Sequence, residues 1–205
     1  MYRSVKGIGS AMAKLYRDYR SEEEDGYDSE NTINNIDWGF VVINYEKLYL
    51  SNQTFFDDSL TICLPQKWER KSEEWIKENF TGETDTIELL QDEANETELV
   101  LRLQSFDIEN REDIETVRDR FAEQSPYPVE EKQLLEWEDG PVAVFLCEEE
   151  QEDEDRACYF FYKWVKHGLL KGKFSCTSSH KSEWHCVILQ MLLTIKEVGE
   201  NREDG

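Results

Sequence analysis

Residues 156–176 read RACYFFYKWVKHGLLKGKFSC and decide the fold class. In the first predicted strand, residues 156–165, Phe160, Tyr162 and Trp164 alternate with residues that point to the other side of an extended chain. The second half, residues 169–176, follows the pair His167-Gly168. Aromatic and β-branched runs on both sides of a short turn are typical of a β-hairpin. This is the strongest strand signal in the chain.

Weaker patterns on both sides of this hairpin complete a predicted order of elements. Strands are predicted at residues 39–50, 59–64, 86–90, 99–106, 134–137 and 142–147. Helices are predicted at residues 72–80 with Ser72 as the N-cap, at residues 112–124, and from about Ser182 to a stop at Gly199. Tight turns join most neighbouring strands, so the fold class is α+β, with a largely antiparallel sheet flanked by helices.

The chain is predicted to have an appendage before this domain. Residues 1–20 carry five basic side chains and one acidic side chain, with apolar residues at near-helical spacing, which predicts a basic amphipathic helix. Residues 21–36 are rich in acids and have almost nothing to bury, as in a flexible linker. The predicted α+β sandwich domain spans residues 37–199, and residues 200–205 form a disordered tail.

Acidity is the strongest functional signal of the composition. With 46 acidic and 23 basic residues, the net charge is −23, which disfavours binding to nucleic acid and to anionic membranes. The same charge favours a protein partner with a basic surface, although it could also serve solubility alone. Residues 1–20 contain no apolar run long enough for a secretory signal, so a cytoplasmic protein is predicted, with its five cysteines reduced.

Two acidic segments are the candidate partner-binding sites, one in the linker and one in a predicted solvated hairpin loop at residues 148–155. Their candidate residues are Glu22, Glu23, Glu24, Asp25, Glu148, Glu149, Glu150, Glu152, Asp153, Glu154 and Asp155. The acids could instead meet the basic segment of the same chain. The only other positive patch of the sequence lies beside the hairpin and is expected on the solvent face of a strand: Lys163, Lys166, Lys171 and Lys173.

Catalytic and cofactor motifs give little support for an enzyme. Cys176 and His180 precede His185-Cys186, but adjacent helical residues point about 100° apart, so packing roles are favoured over a zinc site. Cys186 is the one candidate nucleophile, and its apolar neighbours predict a buried, inert thiol. No glycine-rich phosphate loop or serine nucleophile motif occurs. The prediction is therefore no enzyme, no cofactor and no metal.

One stretch, Ser59-Leu-Thr-Ile-Cys-Leu-Pro-Gln-Lys-Trp68, resembles an early strand and Leu-Pro-x-x-Trp corner of the PsbP-like and DcrB-like group of α/β/α sandwich domains. The later strand from Gly140, the aromatic hairpin and the closing helix follow the order of that group, over residues 37–198. The resemblance implies a non-catalytic binding module, since the group includes small-GTPase partners, photosystem subunits and secretion-associated chaperones. It supplies no active-site motif, and the appendage at residues 1–36 departs from its single-domain pattern.

Two functions follow from these observations. The first is a non-enzymatic acidic protein that neutralises or escorts a cationic protein partner, as immunity proteins do. The second is a secretion or assembly adaptor that binds an apolar partner helix through an apolar sheet face or through its own N-terminal helix. Salt distinguishes them, because screening weakens the first kind of complex much more than the second.

Overall fold

A computed structural model describes residues 34–80, 85–105, 111–151 and 153–198. These residues form an α+β fold with antiparallel strand pairing, as predicted. The N-terminal helix, most of the acidic linker and the C-terminal tail of the sequence prediction lie outside the described residues. The strands are β1 Phe40–Ile43, β2 Glu46–Phe55, β3 Leu60–Pro65, β4 Glu69–Arg70, β5 Thr86–Asp92, β6 Thr97–Ser105, β7 Val129–Leu135, β8 Val142–Glu149, β9 Arg156–Val165, β10 Gly168–Thr177 and β11 Lys196–Glu197; the helices are α1 Glu73–Asn79, α2 Ile114–Glu123 and α3 Lys181–Leu193.

The predicted aromatic hairpin is confirmed as β9 and β10, and it lies inside the larger of two sheets. That sheet has seven strands in the order β4-β5-β6-β10-β9-β8-β7, and the smaller sheet has the order β1-β2-β3-β11. Phe161 pairs with Gly172 across the hairpin, and its ring covers the glycine. Side chains alternate between the two faces along β9, so Tyr159 and Phe161 pack in one core cluster and Tyr162 packs in another.

Three layers follow from these two clusters. On one face of the large sheet, α3 and the small sheet enclose the larger core, in which Trp184 and Val187 of α3 are fully buried. On the other face, Ile114 and Val117 of α2 pack on a smaller cluster over β8 and β9. The apolar residues whose spacing predicted α2 are the ones that it buries, because residues three apart share one helix face.

Three sequence predictions are corrected at the ends of elements. The run at residues 39–50 is two strands, because Asn44 and Tyr45 adopt φ values of 48° and 62° and turn the chain sharply back. The strand predicted at residues 134–137 begins earlier, at Val129. The last helix ends at Leu193, since the Thr194 hydroxyl donates to the Met191 carbonyl (2.6 Å) and the following residues pair with β3 as β11.

Residues 34–36 hold the start of the described chain against the domain. The Asn34 side chain accepts a hydrogen bond from Val42 N (2.7 Å) and donates to Val42 O (2.8 Å), so it occupies the free edge of β1. The buried Gln190 side chain of α3 accepts from Ile36 N and donates to Asn34 O, both at 3.0 Å. Ile36 itself is buried. The packing of the domain therefore includes the last residues of the predicted linker.

Candidate protein-binding surface

The predicted acidic loop lies at one end of the large sheet, and its residues divide into two groups. Glu148 and Glu149 belong to β8 and are half-buried, which corrects their assignment to the loop. Glu150, Asp153, Glu154 and Asp155 lie in the connection between β8 and β9 and are exposed, as predicted. Glu152 and the linker residues Glu22, Glu23, Glu24 and Asp25 lie outside the described residues.

A second turn, between β5 and β6, brings further carboxylates to the same end of the sheet. Arg156, the first residue of β9, donates a hydrogen bond to the Glu96 carbonyl (2.9 Å) and another to the Ser175 hydroxyl (3.2 Å). Ser178 N donates to Asp155 O (2.8 Å), which fixes the end of the acidic connection beside β10. We call the exposed carboxylates gathered here the acidic end: Glu93, Glu96, Glu150, Asp153, Glu154 and Asp155.

Few basic groups among the described residues contact the acidic end. Lys71 is 3.7 Å from Glu93, and the Ser179 hydroxyl donates to Glu154 (2.7 Å). The Arg156 guanidinium is engaged by a backbone carbonyl and a hydroxyl rather than by a carboxylate in the contacts above. Exposed like charges that lie close together produce a local negative potential, which attracts cationic partners and raises their association rate.

Glu149 is a half-buried acid of the run whose carboxylate pairs with groups on neighbouring strands. Its carboxylate lies 2.7 Å from the Lys173 ammonium and also accepts hydrogen bonds from Tyr127 Oη and Cys158 Sγ. Burial alone would raise the pKa of Glu149, but the hydrogen bond and charge of Lys173 outweigh it and hold the pKa below its usual range. Glu149 is thus a packing residue and not part of the acidic end.

Neutralising Glu149 should therefore cost stability, whereas neutralising its neighbour should not. We expect Glu149→Gln to lower the free energy of unfolding by about 2 kcal/mol, because a charge-assisted bond to a half-buried ammonium is lost. Glu150→Gln should change it by less than about 0.5 kcal/mol, because that side chain is exposed. Urea unfolding of the two variants makes the comparison, and equal effects would show that Glu149 has no structural role.

The lysines beside the hairpin do not form the solvent face that the sequence predicted. Lys163 is only 2% exposed, its ammonium donates to Gly140 O (2.9 Å), and burial lowers its pKa. Lys171 lies 2.6 Å from Asp85, and Lys173 is paired with Glu149 as described. Lys166 is exposed. Strand alternation could not reveal this burial, because it depends on which helices cover each face.

The histidines and cysteines that could have formed a metal site are separated. His180 Nδ1 lies 3.1 Å from Thr177 Oγ1, whereas Cys176 is buried in the larger core, where burial raises its pKa to about 12. Cys186 is half-buried rather than fully buried as predicted. In the described ranges, no group of three or more histidine, cysteine or carboxylate side chains is placed to hold a metal ion.

His185 instead belongs to a polar group that the sequence did not indicate. Its Nδ1 is 3.2 Å from Tyr159 Oη on β9, and its Nε2 is 3.9 Å from Glu131 Oε2 on the edge strand β7. The adjoining cavity measures about 10 Å³, the space of about one water molecule. This arrangement joins α3 to two strands and is too confined to accept a substrate.

Protonation of His185 should weaken the fold at acidic pH. Burial lowers the pKa of His185, against the opposing effect of Glu131 and with the help of Lys181. A folded-state pKa below the unfolded value of about 6.5 favours the neutral ring, so this stability is complete above about pH 6.5 and is lost as the pH falls towards the folded-state pKa.

Urea unfolding at pH 7.5 and 5.5 tests this expectation. The loss of stability between the two pH values should be smaller in His185→Gln than in the wild type. His167→Gln removes an exposed histidine and should leave the wild-type difference intact. If His185→Gln keeps the full pH dependence, the titrating group is another residue.

An exposed aromatic cluster lies on the small sheet, and the sequence did not indicate it. Trp38 and Phe40 have ring centroids 6.1 Å apart, Phe40 pairs with Tyr49 across β1 and β2, and the Lys47 ammonium lies 3.7 Å from the Phe40 ring and 5.0 Å from the Tyr49 ring. Trp38 is 56% and Tyr49 57% exposed. We call Trp38, Phe40, Lys47 and Tyr49 the aromatic face.

The described residues form an α+β sandwich, with the acidic end and the aromatic face on its surface. The structure is similar to the solution structure of cyanobacterial PsbP (CyanoP) from Synechocystis sp. PCC 6803, with a TM-score of 0.56 and 9% identity over 73% of this chain and 92% of that one. It also matches a protein of unknown function, PA94 from Pseudomonas aeruginosa, described as a putative regulator, with a TM-score of 0.45 and 9% identity over 74% of this chain and 99% of that one. Neither a protein-family model nor a curated protein matches the sequence.

The resemblance inferred from the Leu-Pro-x-x-Trp corner and the order of elements is therefore confirmed at the level of the fold. Pro65 ends β3, and Trp68 enters the larger core against Phe174 and Trp184, with ring centroids 5.6 and 6.0 Å away. At 9% identity the similarity carries the architecture and no activity. Among the described helices, none combines the length and apolar character that crossing a bilayer demands.

Proposed function

We propose that this protein is a non-enzymatic binding module that engages a cationic protein partner, and neutralises or escorts it, through the acidic end. The observation that carries the proposal is the convergence of two turns at one end of the large sheet. Six exposed carboxylates lie there, and Arg156 holds the two turns together by bonding to the Glu96 carbonyl.

The geometry supports binding better than catalysis. Catalysis requires a concave site with converging polar groups, whereas these carboxylates are exposed on connections at the end of a sheet. Hydrogen bonds restrain both connections, from Asn95 N to the Asp92 carboxylate and from Ser178 N to Asp155 O, so less conformational entropy is lost on binding. A partner with clustered lysines or arginines fits this surface.

Removal of three charges from the acidic end should weaken partner binding. We expect the variant Glu150→Gln, Asp153→Asn, Asp155→Asn to bind the partner roughly tenfold or more weakly, mainly because association slows. The matched control Glu73→Gln, Glu74→Gln, Glu78→Gln removes the same number of charges from the exposed side of α1 and should bind normally.

Affinity capture with the immobilised full-length protein makes this measurement. Capture from the cytosol of the native host, at 50 mM and 500 mM salt, should recover a basic protein that high salt and the acidic-end variant both release. Equal recovery by the two triple variants would contradict the proposal. So would a partner retained at high salt, which would favour apolar docking.

A further inference from the structure

We propose that the aromatic face is the docking site of the protein's own N-terminal segment, residues 1–20. This docking would be intramolecular and is independent of the partner binding proposed for the acidic end. Four observations support it: the exposure of the aromatic face, the place where the described chain begins, the reach of the intervening residues, and the chemistry of the segment.

The exposure of the aromatic face is unusual for a chain this rich in charge. Trp38 and Tyr49 each leave more than half of their surface open, and the Lys47 ammonium lies over the Phe40 and Tyr49 rings. Contiguous exposed aromatic rings mark interaction sites, because large rigid rings gain much from burial and lose little entropy. We therefore expect an apolar segment to bind the aromatic face.

The described chain begins at the border of this face. Asn34 is fixed by its two side-chain bonds to Val42, which lies on β1 two residues from Phe40, and by the bond from Gln190 to its carbonyl. The residues before Asn34 must therefore start beside the aromatic face. This tether is set by part-buried hydrogen bonds and does not depend on the structure of the preceding residues.

The intervening residues can span the distance easily. Thirteen residues lie between Arg20 and Asn34, and an extended chain of that length reaches about 45 Å. A tether of this kind gives its attached segment an effective concentration in the millimolar range. At that concentration the attached segment binds even through weak apolar contacts, in preference to a second copy of the chain or a separate partner helix.

The chemistry of residues 1–20 complements the aromatic face and its rim. Val5, Ile8, Met12 and Leu15 share one side at helical spacing, and the segment carries five basic side chains against one acid. The rim of the face is acidic: Asp37 adjoins Trp38, and the Glu183 carboxylate accepts a hydrogen bond from Asn44 N in the β1–β2 turn. A second copy fits less well, since two chains of net charge −23 repel each other.

Photo-crosslinking in the full-length protein tests the proposal. With p-benzoylphenylalanine in place of Met12, irradiation at low micromolar concentration should give crosslinks within one molecule to residues 38–49. Trp38→Ser with Tyr49→Ser should reduce their yield at least fivefold. The matched control Trp75→Ser removes another exposed tryptophan, 38% exposed on α1, and should leave the yield unchanged.

A second pair of variants changes only the segment, so the fold of the domain is not at risk. Ile8→Asp with Leu15→Asp should reduce the crosslink yield at least fivefold, whereas Ser4→Asp with Ser10→Asp adds the same charge and should reduce it by less than twofold. Crosslinks confined to the acidic end, crosslinks between two chains or to another protein, or no crosslink at all would each overturn the proposal.

Discussion

Replacing Gly172 by alanine should lower the free energy of unfolding by about 3 kcal/mol, although glycine is usually a poor strand residue. A Cβ atom at this position would lie 1.9 Å from Cζ and 2.3 Å from Cε1 of Phe161, which pairs with Gly172 across the central hairpin. Phe161 is fully buried, so its ring cannot move without displacing the core. Urea unfolding followed by tryptophan fluorescence measures the loss.

A double-mutant cycle shows whether the ring is the cause. Phe161→Leu removes the ring atoms that the new methyl group would meet, so Gly172→Ala should cost at least about 1 kcal/mol less in that background than in the wild type. Additive effects would locate the strain elsewhere. A cost below about 0.5 kcal/mol for Gly172→Ala alone would contradict the close packing of β9 on β10.

Gln190→Leu should lower the free energy of unfolding by about 3 kcal/mol, even though leucine has a similar size and the site is buried. The amide makes two hydrogen bonds to the backbone, one from Ile36 N and one to Asn34 O, and leucine would remove both of them. Each unsatisfied buried group costs about 1–3 kcal/mol. Hydrogen exchange should also speed up at Ile36 and along β1.

Gln151→Leu provides the control, since Gln151 is exposed in the connection between β8 and β9 and its substitution should cost less than about 0.5 kcal/mol. If Gln190→Leu is equally mild, the start of the described chain does not depend on this amide. That result would also weaken the evidence that Asn34 is anchored beside the aromatic face.

The central part of the fold was predictable because its pattern is local. β9 has the bounds that were predicted, and β10 begins only one residue earlier than predicted, since the aromatic alternation and His167-Gly168 fix strand length and turn together. Ser72 caps α1 as expected, with its hydroxyl accepting from Trp75 N. Such short-range signals do not depend on the rest of the molecule.

Other boundaries depend on contacts that are distant in sequence. The helical spacing of apolar residues continues past Leu193, yet Thr194 Oγ1 accepts a hydrogen bond from Cys63 N on β3 (2.8 Å) and the chain leaves the helix. The continuous apolar run of β1 concealed the left-handed turn at Asn44 and Tyr45. A tertiary partner decides such positions, and a single sequence does not reveal it.

The candidate site was predictable in part, for the same reason. Charge density located the exposed acids Glu150, Asp153, Glu154 and Asp155, because an acidic run has few side chains to bury. It could not separate Glu149, whose role depends on Lys173 two strands away, nor could it add Glu93 and Glu96 from another turn. The aromatic face was not predicted, because residues 39–50 were assigned to one strand, whereas the turn at Asn44 and Tyr45 is what places Phe40 beside Tyr49.

The proposed role of the acidic end is tested most directly by titrating the full-length, ¹⁵N-labelled protein with a deca-lysine peptide and following amide chemical shifts. The account predicts that the largest shifts fall at residues 93–96 and 148–155, and that they diminish as salt is raised to 500 mM. The variant Glu150→Gln, Asp153→Asn, Asp155→Asn should weaken this binding about tenfold or more. Shifts that are larger at the exposed acids of α1, or spread evenly over all exposed acids, would contradict it.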